Sequence, residues 1–382
     1  MHIPFHRYHF EDAEYQAVAE VMRSGWLTTG AKVAEFENAF AKYKNAPCAV
    51  AVTSCTAALS VILATLPLQK EDEIITTPLS FASTANVIIQ RGCKVVFADV
   101  DPSTHNISPT CIQQKITPKT RALIVVHLGG NACEMDAICK IAQKHNLFLI
   151  EDCAHALETT YHNQAAGTFG YAGAFSFYPN KNITTGEGGM IISANANLEH
   201  DFKLYRNHGL DYEPYNRADI NQFRQYDIVA AGFKYNLTDL QAGLGICQLA
   251  RIKTMWNRRA EIAQKYTQAF ENHPAINLLY QTPNAKNAHH LFIIKLNSLR
   301  LYSTRDQVVS QIMQKGVQLS IHFKPIHLFS YYRSLGHFEG ECPIAEDVAK
   351  NIFTLPIYPL LTDLEVDYII ETVLKALENY TL

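Results

Sequence analysis

Seven short apolar runs, separated by helical patterns, constrain this chain more than any other feature. They cover residues 47–53, 73–77, 93–100, 121–128, 146–152, 173–178 and 189–194. Most are almost continuously apolar, as in Leu123-Ile-Val-Val126 and Leu147-Phe-Leu-Ile150. A strand covered on one face alternates apolar and polar residues; one covered on both faces has no reason to. Helical patterns over 56–66 and 135–145 lie between the runs. The alternation predicts an α/β fold, a mainly parallel, doubly wound sheet with helices on both sides.

The last two runs break the rhythm. Residues 179–188 between them contain Pro179, Gly186 and Gly188 and do not read as a helix. About ten residues is the minimum for a helical crossover, so a functional loop is expected there. Near residue 250 the texture changes again. Residues 251–270 read as a long amphipathic helix joining two domains, since 382 residues exceed what one core usually holds. After it come an apolar run at 290–296, a helix at about 304–315 and a short run at 317–323. Ser303-Thr-Arg-Asp306 resembles a capping box opening that helix, and Gly316 would stop it. Thr362-Asp-Leu-Glu365 is a second box, opening a C-terminal helix to about 378. The expected division is 1–250 for a large domain and 251–382 for a smaller C-terminal α+β domain.

Charge and cysteine usage narrow the class. The 33 Lys+Arg against 36 Asp+Glu leave a net charge of −3, with no basic stripe for nucleic acid. Nine cysteines are scattered singly without a Cys-x-x-Cys pair, which suits reduced thiols and neither a zinc ribbon nor a disulfide framework. No metal site is expected. The N-terminus lacks an apolar leader core, and no stretch approaches the roughly 18 apolar residues of a membrane span. A cytoplasmic protein without membrane or nucleic-acid partners is expected.

In open α/β sheets ligands bind beyond the carboxyl ends of the strands. The first run ends in Thr53-Ser-Cys-Thr-Ala-Ala58 and passes directly into a helix. Free N–H groups and the positive helix end suit an anion there, although the same residues read alone as an ordinary N-cap. The fifth run ends Glu151-Asp-Cys-Ala-His155. An acid at the tip of an apolar strand is costly unless it meets a cation, such as a protonated pyridine nitrogen; the alternative is a capping Asp. Lys181 stands in the 179–188 loop before Thr184-Thr-Gly-Glu-Gly-Gly189. Desolvated there, it would be nucleophilic; solvated, it would be an ordinary loop lysine. Anion seat, buried acid and loop lysine are together the three handles that pyridoxal phosphate requires.

The chain resembles, almost end to end, the DegT/StrS-type, fold-type I, pyridoxal-phosphate-dependent sugar aminotransferases. The resemblance is carried by Ser24-Gly-Trp-Leu-Thr-Thr-Gly30, Ser54-Cys-Thr-Ala-Ala58, Ser80-Phe-Ala-Ser-Thr-Ala-Asn86, Glu151-Asp-Cys-Ala-His155, Phe175 to Gly189, Asn207-His-Gly209 and Lys234-Tyr-Asn-Leu-Thr-Asp239. Ile321-His-Phe323 and Leu355-Pro-Ile-Tyr-Pro359 extend it into the small domain. It implies a mostly parallel seven-stranded sheet flanked by helices, with a smaller C-terminal domain. It also implies that Lys181 carries pyridoxal 5'-phosphate as a Schiff base, that Asp152 meets the ring nitrogen, and that His155 lies near the ring's phenolic oxygen. By the same resemblance Phe81 stacks on the ring, and Thr56, Ala57 through its backbone N–H, and Ser176 form the phosphate cup. Asn236 would reach the phosphate of a partner subunit, making the active unit a homodimer. Tyr178, His208 and His322 would approach a nucleotide-sugar substrate.

The Lys-Tyr-Asn-Leu-Thr-Asp wording is similar to the branch that aminates C4 of UDP-linked 4-keto sugars, with glutamate as donor, for surface glycan or lipopolysaccharide sugars. Amination at C3, or a regulatory role without catalysis, are the alternatives. Cys55 stands where the family commonly has Gly, and Pro179-Asn180 and Gly129-Gly-Asn-Ala-Cys133 also depart from its usual wording.

Overall fold

A computed structural model describes residues 1–211 and 225–378. Residues 212–224 and 379–382, which fall within the expected large and small domains, lie outside the described residues. All seven apolar runs form strands: β1 (Cys48–Val52), β2 (Glu73–Thr76), β3 (Lys94–Phe97), β4 (Thr120–Val126), β5 (Phe148–Asp152), and, after the two-residue strands β6 (Thr160–Tyr161) and β7 (Gln164–Ala165), β8 (Ala172–Ser176) and β9 (Gly189–Ser193). They make one seven-stranded sheet in the order β1-β9-β8-β5-β4-β2-β3.

The sheet is buried on both sides, as continuous apolar runs require. Along β4, Ile124 belongs to one core cluster with Leu59, Ile62 and Ile74, while Leu123 and Val125 belong to another with Met135 and Ile138. β2, β3, β4, β5 and β8 pair in parallel, whereas β9 runs antiparallel to both β8 and β1. The link from β8 to β9 has no room for a helix that would return the chain to the starting end. So the chain turns back directly, and the link becomes a loop at the carboxyl end of β8.

Beyond the helix Ile252–Phe270, β10 (Ile276–Leu278), β12 (Phe292–Leu296) and β13 (Ile352–Leu355) form an antiparallel sheet. β11 (Ala285–Lys286) instead pairs with β6. The helices Arg305–Gln314 and Asp363–Glu378 cover the small sheet, and a separate core holds Ile262, Tyr266, Val308, Phe353, Ile369 and Val373. Ile3 lies in that core too, its backbone bonded to Gly316 and Gln318.

Two local expectations shift. The cap of Arg305–Gln314 is Thr304 with Gln307, one residue beyond the expected box, and Ser303 is left with a buried hydroxyl that finds no partner among the described residues. The run at 317–323 makes isolated bridges through Val317 and Ser320 rather than a strand. The C-terminal box forms as read, with Thr362 N–H donating to Glu365 Oε2 at 3.0 Å and Glu365 N–H to Thr362 Oγ1 at 3.2 Å. Among the described residues no helix is long and apolar enough to cross a membrane.

Candidate active site

The loop after β8 is clamped at its base. Phe177, fully buried, packs against Phe36 and Phe40 at ring distances of 5.3 and 5.7 Å. Its backbone N–H donates to Gly188 O at 2.8 Å, and its carbonyl accepts from Thr185 N–H and from Thr184 Oγ1 at 3.0 Å. A Cβ on Gly189 would come within 2.4 Å of the Ser54 backbone, so only glycine allows β9 to start against the β1–helix junction. The loop's tip is thereby held over the carboxyl ends of β1, β5 and β8, and Lys181 N–H closes a turn onto Tyr178 O at 2.9 Å. Burial pushes the Lys181 amine down to about 8, against the opposing pull of Cys55 and Asp152.

Asp152 ends β5 and is buried. Its Oδ2 accepts from Thr84 Oγ1 at 2.8 Å and its Oδ1 from Ala154 N–H at 3.1 Å, with Cys55 Sγ 3.7 Å from Oδ1. Thr84 in turn meets Ser80 Oγ at 3.0 Å. These donors fix the carboxylate in place.

Three imidazoles complete the setting. His155 is held through Nδ1, which accepts from Gly129 N–H at 3.3 Å, and its ring lies 6.0 Å from that of Phe323, nearly parallel. Burial first, and then the charge of Lys181, drive His155 well below the ordinary histidine value. His290 lies 4.5 Å from His155, ring to ring, and its Nε2 is 3.5 Å from Lys181 Nζ. His322, bonded through Nδ1 to Thr354 Oγ1 at 2.9 Å, is pushed down to about 4 by burial and by Lys181. Ring contacts run from His290 to His155, from His155 to Phe323 at 6.0 Å and from Phe323 to His322 at 4.9 Å, so the three neutral imidazoles line one space beside the Lys181 amine.

The other residues singled out in the sequence distribute as follows. Phe81, at the start of the helix Ser83–Gln90, leaves its side chain 67% exposed. Ser176 ends β8 with its Oγ accepting from Tyr178 N–H at 3.3 Å, and Tyr178 is 48% exposed. Thr56 is exposed in the first turn of the helix Cys55–Ala64, while the Ala57 N–H donates to Ser54 Oγ at 3.0 Å. Ala57 therefore has its N–H engaged in the helix cap. Asn236 bridges Val52 and donates through Nδ2 to Thr29 Oγ1 at 2.7 Å. His208 is exposed at φ 61° on the turn after the helix Leu198–Arg206. Among the described residues no bond joins His208 or Asn236 to Lys181.

Sequence reasoning missed His290, Asn182, Thr84 and the contact of Cys55 with Asp152. Thr84 carried a usable signal, lying three residues after Phe81 within the Ser80–Asn86 segment. His290 carried none, because it opens an apolar run that reads as strand.

The arrangement suits pyridoxal phosphate: an amine of lowered basicity, a fixed buried carboxylate, and the start of a helix beside the exposed Thr56 and half-buried Ser176 hydroxyls. A model of the DegT/DnrJ/EryC1/StrS aminotransferase family matches residues 9–374. The spore coat polysaccharide biosynthesis protein SpsC of Bacillus subtilis is 41% identical over 362 residues, covering 94% of this chain and 93% of that protein. Two solved structures superpose over 99% of this chain with a TM-score of 0.93. They are the sugar aminotransferase Spr1654 of Streptococcus pneumoniae in its PMP form (31% identical, 99% of that chain) and Helicobacter pylori PseC, an aminotransferase involved in pseudoaminic acid biosynthesis (28%, 100% of that chain). The chain belongs to the DegT/DnrJ/EryC1/StrS aminotransferase family, a family of pyridoxal-phosphate-dependent enzymes.

Proposed function

We infer that this chain transaminates a nucleotide-linked 4-keto-6-deoxy sugar, UDP-linked and aminated at C4, with glutamate as donor, in making sugars for surface glycan or lipopolysaccharide. The observation that carries the reading is the convergence of Lys181, Asp152 and three neutral imidazoles at the carboxyl end of the sheet. The likeness to PseC and SpsC supports a sugar for the substrate.

Pyridoxal phosphate, when bound, supplies a ring that accepts the negative charge left at a carbon losing its proton. Asp152 would hold a positive ring nitrogen with its fixed charge. The Thr56 and Ser176 hydroxyls and the start of the helix Cys55–Ala64 would receive the phosphate, with the Ala57 N–H joining only by giving up Ser54. Phe81 would lay its exposed face over the ring, and His155 would stand near the ring's oxygen. With its value lowered to about 8, Lys181 Nζ has a substantial neutral fraction near neutral pH, so it can take a proton from the amino-bearing carbon and return it. Tyr178, His208 and His322 offer polar groups to the sugar nucleotide.

Asn236 would complete the phosphate site of a second subunit, the active unit being a homodimer. Mixing Lys181→Ala with Asn236→Ala subunits then restores activity, because one site of each hybrid regains both residues; hybrids as dead as their parents would place Asn236 in its own subunit's site.

The substrate reading is tested by offering UDP-, GDP- and dTDP-linked 4-keto sugars with glutamate and locating the new amine by NMR. Turnover of the UDP sugar with the amine at C4 is expected. An amine at C3, or turnover confined to another nucleotide, would overturn it.

A further inference from the structure

Behind Lys181 a chain of hydrogen bonds runs away from the substrate side. Asn182, the next residue, is buried, and its Nδ2 donates to Glu158 Oε2 at 2.7 Å and to Ala288 O at 2.9 Å. Both partners are acceptors, so the amide's nitrogen end is fixed toward them and Oδ1 is left facing His290 Nδ1 at 3.1 Å. A carbonyl oxygen facing Nδ1 requires the proton there. Burial, and then the charges of Lys181 and its neighbours, keep His290 well below the ordinary value, hence neutral. A neutral ring protonated at Nδ1 has its lone pair at Nε2, the atom 3.5 Å from Lys181 Nζ.

We propose that His290 is a positioning residue for Lys181: its Nε2 lone pair receives an N–H of the lysine amine, turns the rest of Nζ toward the substrate space, and steadies the ammonium formed when Nζ takes a proton. The separation is long for a hydrogen bond, as such contacts commonly are before substrate binds, and it shortens as the amine gains charge. Asn182 ties the device together. It follows Lys181 on the same turn, so one short segment sets both the amine and the tautomer of the imidazole that receives it. His290 comes from the segment leading into β12, which gives the C-terminal part of the chain a direct hold on the lysine.

The proposal rests on Lys181 as the cofactor lysine, and the experiment separates the two. Full-length protein freed of cofactor is treated with acetic anhydride across a pH series, and labelling of Lys181 is followed by peptide mass spectrometry. The midpoint is expected near 8 in the parent. In His290→Phe it falls by on the order of one pH unit, because the acceptor that favours the charged amine is gone. In His290→Gln, whose amide oxygen also accepts, most of the shift is recovered. An unchanged midpoint in His290→Phe, or a glutamine variant that behaves like phenylalanine, would overturn the proposal. The parent's 15N-histidine spectrum tests the same point without a variant: Nδ1 should be protonated and Nε2 bare, and the reverse tautomer overturns it. Borohydride reduction of the holoenzyme then identifies the lysine that carries the cofactor. Cofactor on another lysine sinks the Lys181 reading, whereas cofactor on Lys181 with an unmoved midpoint sinks the role of His290 alone.

Discussion

Glu151 and Asp152 are consecutive residues at the tip of β5, both buried, and they face opposite sides of the sheet. Glu151 is sealed. Its Oε1 accepts from Phe169 N–H at 2.8 Å and Gly170 N–H at 3.2 Å, and its Oε2 from Gly167 N–H at 2.7 Å, with His127 Nε2 at 3.2 Å. His127 Nδ1 is itself occupied by Cys133 N–H. Although His127, Glu151 and Cys153 lie close enough to suggest a metal site, the ligand atoms of His127 and Glu151 already have protein partners. Asp152 has fewer donors and shares its space with a lysine and a thiol. Burial of a carboxylate thus does not mark a reactive site. What marks it is a charge held in place with part of its capacity unspent, next to a group of shifted basicity.

The comparison sharpens first at Lys181. Lys181→Ala should lower the amination rate by at least about 10⁴-fold, measured by product formation with excess glutamate, while melting stays close to the parent's. Asp152→Asn comes next, with a loss on the order of 10³-fold and a stability change of about 1 kcal/mol or less, since the amide oxygen can still accept from Ala154 N–H while its NH₂ faces Thr84 Oγ1, a hydroxyl that can turn to accept. Glu151→Gln should invert that pattern. Any placement of its NH₂ sets a donor against a backbone N–H, costing about 3 kcal/mol in denaturant unfolding with the rate constant within a few-fold. If Glu151→Gln instead lost turnover without losing stability, the two sides of β5 would not be divided as described.

Glu158 is a third buried carboxylate and falls between these extremes. Burial raises it to about 7, with Arg259, Asn182 and Lys44 opposing, and its Oε1 has no partner among the described residues. A carboxyl whose folded value lies above its unfolded value of 4.5 holds its proton longer in the folded state. Its contribution is therefore present below about 4.5 and is lost as pH rises toward 7. The loss amounts to roughly 2–3 kcal/mol. Comparing unfolding of the parent with Glu158→Gln at pH 4.5 and 7.5 isolates this slope from the histidines, and parallel curves would show that the group titrates normally.

Much of this was legible in the chain. Strands covered on both faces must be apolar throughout, so the seven runs announced the sheet, and the short 179–188 link announced a functional loop, whereas the antiparallel course of β9 emerged only in the fold. Lys181 and Asp152 stood out because each was chemically out of place: a lysine in a glycine-rich turn, an acid at the tip of an apolar strand. Residues that are well satisfied leave no such mark. His290 meets Lys181 across more than a hundred residues of chain, and Asn182 and Glu158 find each other only after folding. Caps slip for a related reason. Ser303 and Thr304 are equivalent as sequence, and only the path of the backbone chooses between them.

The smallest expected effect concerns the phosphate end, where the family resemblance assigns the Ala57 N–H to the cofactor but the fold gives it to Ser54 Oγ. The two uses compete for one hydrogen, since an N-cap hydroxyl and a phosphate oxygen would approach the helix start from the same side. If the cap holds, Ser54→Ala removes an N-cap and costs about 1 kcal/mol in unfolding of the cofactor-free protein. Retention of cofactor on dialysis should then change little, because Thr56, Ser176 and the helix start remain and the freed N–H becomes available to the phosphate. A variant that unfolds like the parent but releases cofactor tenfold faster would make the Ser54 hydroxyl a phosphate ligand in its own right. The anion seat would then extend back to the N-cap residue itself, nearer to β1 than the cap geometry implies.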